Sequence, residues 1–216
     1  MIVIENIQVK NIFEEFNDFA DISQNIAIFT RDIELQKNAV KNIETFVERI
    51  DVLMTESTLI DSELNLLLFL KFTIGAVKLE LRMIICLKEN EMDYAWGALI
   101  QAQGCISIAS SNHPFNSDNL NGFVMRLDSY EKLLFPKMMF ASVGGIIKKT
   151  KCSICEMEYD DCEHMKGKFY SGKLCVKEIH EMELEEVSMV ENPASKMNRQ
   201  MGTVYNGKDV NVLTLK

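Results

Sequence analysis

The sequence predicts an α+β protein, with an N-terminal antiparallel helical bundle over residues 1–136 and a small zinc-stapled β-module over residues 137–216. The first 74 residues contain neither glycine nor proline, which is typical of long helices. After residue 136, short apolar stretches with a period near two predict strands. Four of the six cysteines lie within residues 151–175, which indicates that a staple holds this second part together.

The N-terminal half is expected to form about four helices. Apolar residues recur in steps of three and four as far as Met54, and polar residues occupy the other face. Thr58, followed by Asp61 at capping distance, predicts the start of a second helix. This helix should continue to about Lys88 and lie centrally in the bundle, because it is apolar on more than one side.

Asn90, followed by Asp93 at capping distance, predicts a third helix that runs through "DYAWGALIQAQGCISIASS". Residues 111–122 are rich in turn-forming residues and predict a loop. A short amphipathic helix from Phe123 to Leu134 should follow and end before the next proline. Together these helices predict an antiparallel bundle with coiled-coil-like packing.

Four segments after the bundle are predicted to be strands of a small sheet. The first, "KMMFASVGGIIKK", contains a glycine pair that predicts a bend or bulge. The others, "KLCVKEI", "LEEVSMVE" and "KDVNVLTLK", alternate apolar and polar residues.

The segment "KCSICEMEYDDCEHMKGKFYSGKLC" has the spacing of a metal site. Cys152 and Cys155 can bind one ion from a tight turn, and Cys162 and His164 complete four soft or borderline ligands, the tetrahedral set that zinc prefers. Cys175 is an alternative ligand that could replace His164, or it could be an unligated core thiol. Four protein ligands close the coordination shell, so a structural zinc is expected rather than a catalytic one.

Two further interpretations of these cysteines are considered. Four buried, reduced thiols without a metal are one of them, although a small β-module with little apolar mass usually needs a staple. A redox C-x2-C motif is the other. It requires neighbours that lower a thiol pKa, whereas the residues around Cys155 are acidic.

Charge and hydropathy exclude several classes of partner. The net charge of -9 disfavours direct binding of nucleic acid through phosphate neutralisation. The most apolar stretch, residues 66–87, is interrupted by charged residues and predicts a buried helix rather than a membrane span. The N-terminus lacks the features of a signal peptide, so a cytoplasmic protein is expected.

The third helix carries the most distinctive aromatic patch, which contains Tyr94 and Trp96. Trp96 is expected either to pack between helices or, together with Tyr94, to anchor a partner-binding surface. The second possibility would give the bundle a role in binding a protein partner or in forming a homo-oligomer.

The closing stretch "EVSMVENPA" is similar to the late strand and turn of phage prohead maturation proteases, and "SVGG" resembles the strand that carries their nucleophilic serine. The whole cysteine-containing segment resembles a module of uncharacterised bacterial and prophage proteins. The protease resemblance implies Ser142 as a nucleophile, with His180 or His164 recruited as the base. In the interaction hypothesis, His164 is instead a metal ligand.

The residues therefore favour a non-catalytic interaction, scaffold or sensor subunit, because no nucleophile with a neighbouring base and no open metal site is recognisable. A prohead-protease-like serine hydrolase with Ser142 as nucleophile is the alternative. A third hypothesis is an accessory subunit of a phage-defence or DNA-processing complex.

Overall fold

The computed structural model describes residues 4–56, 58–115 and 119–214 and confirms the α+β fold class. Within these ranges a helical N-terminal part precedes a part that contains strands. The change from helix to strand occurs between Leu134 and Phe140. The helices are α1 Ile7–Phe29, α2 Ile33–Leu53, α3 Asp61–Lys88, α4 Met92–Ser111 and α5 Asn119–Leu134.

The described residues form five helices instead of the expected four, because residues 30–32 divide the first predicted helical stretch into α1 and α2. Asp32 ends the continuity: its side chain accepts hydrogen bonds from the backbone N–H of Glu34 and Leu35, at 2.8 and 3.2 Å. These bonds satisfy free donors at the start of α2. The prediction missed this Asp32 cap, since the apolar periodicity continues on both sides of it.

Helix α3 is central, as its apolar composition predicts. It packs against α1, α2 and α4. The Glu63 carboxylate accepts backbone N–H bonds from Glu5 and Asn6, at 3.0 and 2.8 Å, and so ties the start of α1 to the start of α3. Short connections between neighbours give the antiparallel arrangement of a bundle. Fully buried side chains of α3 include Leu66, Leu67, Leu70, Ile74, Leu81 and Met83.

Helix boundaries differ slightly from the prediction. Helix α3 begins at Asp61, but the Glu63 carboxylate, rather than Thr58, accepts the Ile60 N–H, at 3.4 Å. Helix α4 begins without a side-chain cap, and Asn90 instead adopts the left-handed conformation with φ 61° in the preceding turn.

The last helix also starts earlier than predicted. Helix α5 starts at Asn119 rather than Phe123 and ends at Leu134, as predicted. Residues 116–118 of the predicted loop lie outside the described residues.

The strands form three separate antiparallel pairs in the described residues instead of one small sheet. The segment "KLCVKEI" begins in a two-residue strand and ends in a strand of 14 residues, which also contains most of "LEEVSMVE". The C-terminal segment forms a hairpin with a four-residue stretch that the sequence analysis did not identify, and its last two residues lie outside the described part. The strands are β1 Phe140–Cys152, β2 Phe169–Tyr170, β3 Lys173–Leu174, β4 Lys177–Val190, β5 Gly202–Tyr205 and β6 Lys208–Asn211.

Strands β1 and β4 form a long two-stranded ribbon, from the Phe140–Val190 pair to the Cys152–Lys177 pair. Its register shifts three times, first between Gly144 and Gly145, which confirms the predicted irregularity at the glycine pair. Such shifts increase the local twist of a strand pair.

No helix in the described part of the chain is both long enough and apolar enough to cross a bilayer.

Candidate metal centre

The metal centre begins where β1 ends. Cys152 is the last residue of the strand, and a tight turn follows in which the Glu156 N–H donates to the Cys152 carbonyl at 2.8 Å. The Ile154 N–H points to the Cys152 sulfur at 3.4 Å. Glu156 leaves the turn in the left-handed conformation, with φ 60°. The C-x2-C spacing thus folds into a turn that presents both thiols to one side.

The second pair of ligands follows a short 3-10 turn, Tyr159–Asp161. The structure brings the ligand atoms of Cys152, Cys155, Cys162 and His164 within 4.8 Å of one another. This group could hold a metal ion, and it is the set predicted from the sequence. All six cysteines of the chain are free thiols.

The histidine of this group has a buried nitrogen that needs a partner. His164 Nδ1 lies out of contact with solvent and has no hydrogen-bond partner in the described part of the chain. Leaving a buried polar atom unpaired costs free energy, so an explanation is required. A cation bound among the three thiols would satisfy this nitrogen.

Tyrosine side chains hold the ligand loop in shape. Tyr170 meets the His164 ring edge-on, with centroids 4.6 Å apart, and its hydroxyl accepts the Met165 N–H at 2.9 Å. The Tyr159 hydroxyl accepts the Lys166 N–H at 2.8 Å. These contacts hold the loop immediately after the histidine and the His164 ring itself.

Cys175 lies beside the four ligands. Its sulfur is 3.8 Å from that of Cys152, and the residue is buried. Its backbone is fixed by bonds between the Cys175 N–H and the Lys168 carbonyl and between the Gly167 N–H and the Cys175 carbonyl, both at 2.8 Å. Cys175 therefore supports the ligand loop through its backbone bonds, and its sulfur contacts the sulfur of Cys152.

The thiols differ in acidity. Burial opposes ionisation of Cys152, but hydrogen bonds from the Cys155 and Ile154 backbone and from neighbouring thiols lower the pKa of Cys152 to about 6. Burial, together with the neighbouring Cys152 thiolate, raises the pKa of Cys175 to about 11. Burial also raises the pKa of Cys162. Cys152 is thus the thiol best prepared to bind a cation, which would deprotonate further ligands.

The ligand loop is docked on the helices. The Asn112 side chain donates to the Gly167 carbonyl at 2.7 Å and accepts the Phe169 N–H at 3.0 Å. Phe169 stacks on Phe72 of α3, with ring centroids 5.7 Å apart. Sequence analysis missed Asn112, because an asparagine after a helix is also an ordinary C-cap residue.

The turn between β2 and β3 makes a further contact with the helices. The Gly172 N–H donates to the Asn65 side chain at 2.9 Å. A Cβ atom at Gly172 would lie 3.1 Å from Leu64 and from Met54, and the φ of +73° is also unfavourable for other residues. Glycine therefore permits the close approach of the loop to α3.

The other end of the ribbon is anchored by Trp96. This side chain is only 3% exposed, packs edge-on to Phe135 and against Phe140, and donates its indole N–H to the Lys196 carbonyl at 3.0 Å. Of the two roles expected for Trp96, the structure therefore shows packing inside the chain and not a surface anchor for a partner. Tyr94 is 72% exposed.

The residues of the hydrolase hypothesis are not brought together along the ribbon. Ser142 pairs with Ser188, whereas His180 lies eight positions earlier in β4. At about 3.3 Å per residue this corresponds to roughly 26 Å. His180 lies instead 3.5 Å from the Glu178 carboxylate, and His164 belongs to the group that could hold a metal ion.

The fold and site together define a class: a helical protein whose C-terminal β-ribbon ends in a cysteine–histidine cluster able to hold a metal ion. The chain matches no protein-family model, no curated protein and no solved structure.

Proposed function

We propose that this protein is a non-catalytic interaction subunit of the cytoplasm, in which a structural zinc ion holds an exposed β-ribbon on a helical scaffold. The observation that supports this proposal most directly is the cluster of four candidate ligands at the end of β1. The loop that follows the cluster contacts α3 and the end of α4. The reducing environment of the cytoplasm keeps thiols available for a metal.

Zinc fits the donor set. Three thiolates and one imidazole are soft or borderline ligands, and zinc bonds of about 2.0–2.3 Å require ligand atoms a few Å apart. Four protein ligands leave no position for water, which is the arrangement of structural rather than catalytic sites. The zinc would stabilise a loop that buries few apolar side chains of its own.

The position of the cluster supports a scaffold role. The ribbon is held by Trp96 and Phe140 at one end and by the ligand loop at the other. Between these anchors, most residues of β1 and β4 are exposed to solvent. A rigid, accessible ribbon is suited to binding another protein. The resemblance to prophage proteins suggests a bacterial assembly or defence complex as its context.

The first test is metal content by elemental mass spectrometry of the purified full chain. We expect about one zinc per chain, lost in Cys152→Ser and Cys162→Ser. Cys105→Ser is the matched control, because this thiol lies in α4, outside the cluster, and should leave the zinc in place. A wild-type chain without metal, or equal loss in the control, would contradict the proposed zinc site.

A further inference from the structure

One face of the β-ribbon is continuously apolar. The register assigns four successive cross-strand pairs to it, because residues on one face alternate along a strand and pairs share a face. We call this the apolar face. Its pairs are Ala141–Met189, Val143–Val187, Gly145–Leu184 and Ile147–Met182.

At these levels the opposite face carries mainly polar and charged side chains, with Ile146 as an exposed aliphatic exception. The Glu186 side chain lies over Gly144, and Lys148 forms an ion pair with Glu183 at 2.6 Å. Ser142 and Ser188 also face this side. The apolar face, in contrast, carries no charged side chain in its four pairs.

The apolar face is open in the described chain. Leu184 and Val187 are each 62% exposed, and Val143, Ile147, Met182 and Met189 are also exposed. A contiguous exposed patch of this kind marks an interaction site on a soluble protein. A lone two-stranded ribbon is also only marginally stable in water, so a second layer would stabilise it.

We propose that the apolar face binds the apolar face of a second copy of this chain, giving a two-fold symmetric dimer. This inference rests on the proposed interaction role and names the partner. The two ribbons pack face to face, with the two-fold axis running along them. A two-fold interface is closed, so assembly stops at the dimer.

Shape supports pairing of the face with itself. The two-fold axis sets β4 of one copy over β1 of the other at the same level. Met189, which projects from the face, then lies over the partner's Ala141. A large residue on β4 therefore meets a small residue on β1 at this level, as interdigitated sheet packing requires.

The available area is sufficient. Covering the six exposed aliphatic side chains on both copies removes on the order of 1,000 Å² from water, the lower limit for a specific interface. We therefore expect a dimer of moderate affinity, with a dissociation constant on the order of micromolar.

The test is sedimentation equilibrium of the full, zinc-loaded chain over about 1 to 100 µM, the range that brackets such an affinity. We expect the wild-type chain to sediment with twice its monomer mass at the upper end. Leu184→Asp buries a charge in the interface and should raise the dissociation constant by at least about tenfold. Ile146→Asp is the matched control, because Ile146 is equally aliphatic and exposed but lies on the opposite face.

The outcomes separate this inference from the proposed function. A wild-type chain that binds zinc but remains monomeric overturns the dimer and leaves an interaction with another protein as the role of the ribbon. Equal weakening by Ile146→Asp overturns the assignment of the apolar face. Zinc content and circular dichroism of each variant establish that the fold is intact. A dimer without zinc would instead overturn the metal role alone.

Discussion

The sulfur atoms of Cys152 and Cys175 lie 3.8 Å apart. Only Cys152 belongs to the group of four residues whose ligand atoms lie within 4.8 Å of one another. The pair therefore contains one proposed ligand and one supporting thiol. Burial and the nearby Cys152 thiolate raise the pKa of Cys175 to about 11. The buried Nδ1 of His164, in contrast, has no hydrogen-bond partner among the described residues.

We predict that His164→Ala loses zinc and that Cys175→Ser retains it. Loss of a ligand opens the coordination shell, whereas loss of a supporting contact should weaken metal affinity by at most about 10–100-fold. Competition with a chromogenic chelator measures both affinities. The reverse result, zinc kept without the His164 imidazole and lost without the Cys175 thiol, would establish Cys175 as the fourth ligand.

Removal of the metal should loosen the ligand loop and leave the bundle intact. We predict that a chelator increases amide hydrogen exchange in residues 152–176, because the loop contains little regular structure to protect it. Exchange in the middle of α3 should remain slow, since this helix is buried among its neighbours.

Cys152→Ser supplies the control for that experiment. This variant should already show the faster exchange, and the chelator should change it no further. A chelator effect of the same size in wild type and variant would mean that the chelator acts elsewhere than on the cluster.

Trp96 should be important for stability and not for surface recognition. We predict that Trp96→Ala lowers the free energy of unfolding by about 3–5 kcal/mol, because it empties a packed position between Phe135 and Phe140. Tyr94→Ala is the matched control on the same helix. It should change stability by less than about 0.5 kcal/mol, because its side chain is exposed. Urea unfolding monitored by circular dichroism measures both, and equal effects would contradict the packing role of Trp96.

The cluster of candidate metal ligands and the fold class could be predicted from the sequence because their signals are local. A C-x2-C spacing fixes the geometry of a turn, and Cys162 and His164 lie within the same short excursion. The break between α1 and α2 also has a local signal, at Asp32, but an aspartate among polar residues is an ambiguous one.

The exposure of the ribbon's apolar face could not be predicted from the sequence. Alternating apolar and polar residues indicate that a strand has an apolar face, but not what covers that face. The pattern around Val187 predicts a strand with one buried side, yet this side chain is exposed in the single chain. The contacts of Asn112 and Gly172 join segments more than fifty residues apart in sequence. Such pairings depend on tertiary packing, which no short window of sequence contains.

A buried ion pair inside the bundle gives the last prediction. Arg126 of α5 binds the Glu80 carboxylate of α3 through two N–H groups, at 2.8 and 2.9 Å, and Glu80 is fully buried. Burial nevertheless outweighs Arg126 and raises the pKa of Glu80 above its ordinary value of 4.5. The folded state therefore holds this proton more tightly than the unfolded state. The stabilising contribution is present at low pH and is lost as the pH rises from about 4.5 through the raised pKa.

We predict that Arg126→Met lowers the free energy of unfolding by about 3–5 kcal/mol at neutral pH, because it leaves a buried carboxylate unpaired. The loss should become smaller as the pH falls and Glu80 takes up its proton. Arg49→Met is the control: its ion pair with Glu15 lies at the surface and should contribute about 1 kcal/mol or less. Urea unfolding at a series of pH values measures the difference between the two variants. A penalty for Arg126→Met that did not change with pH would mean that Glu80 keeps the same protonation state over that range, which would contradict the predicted uptake of a proton.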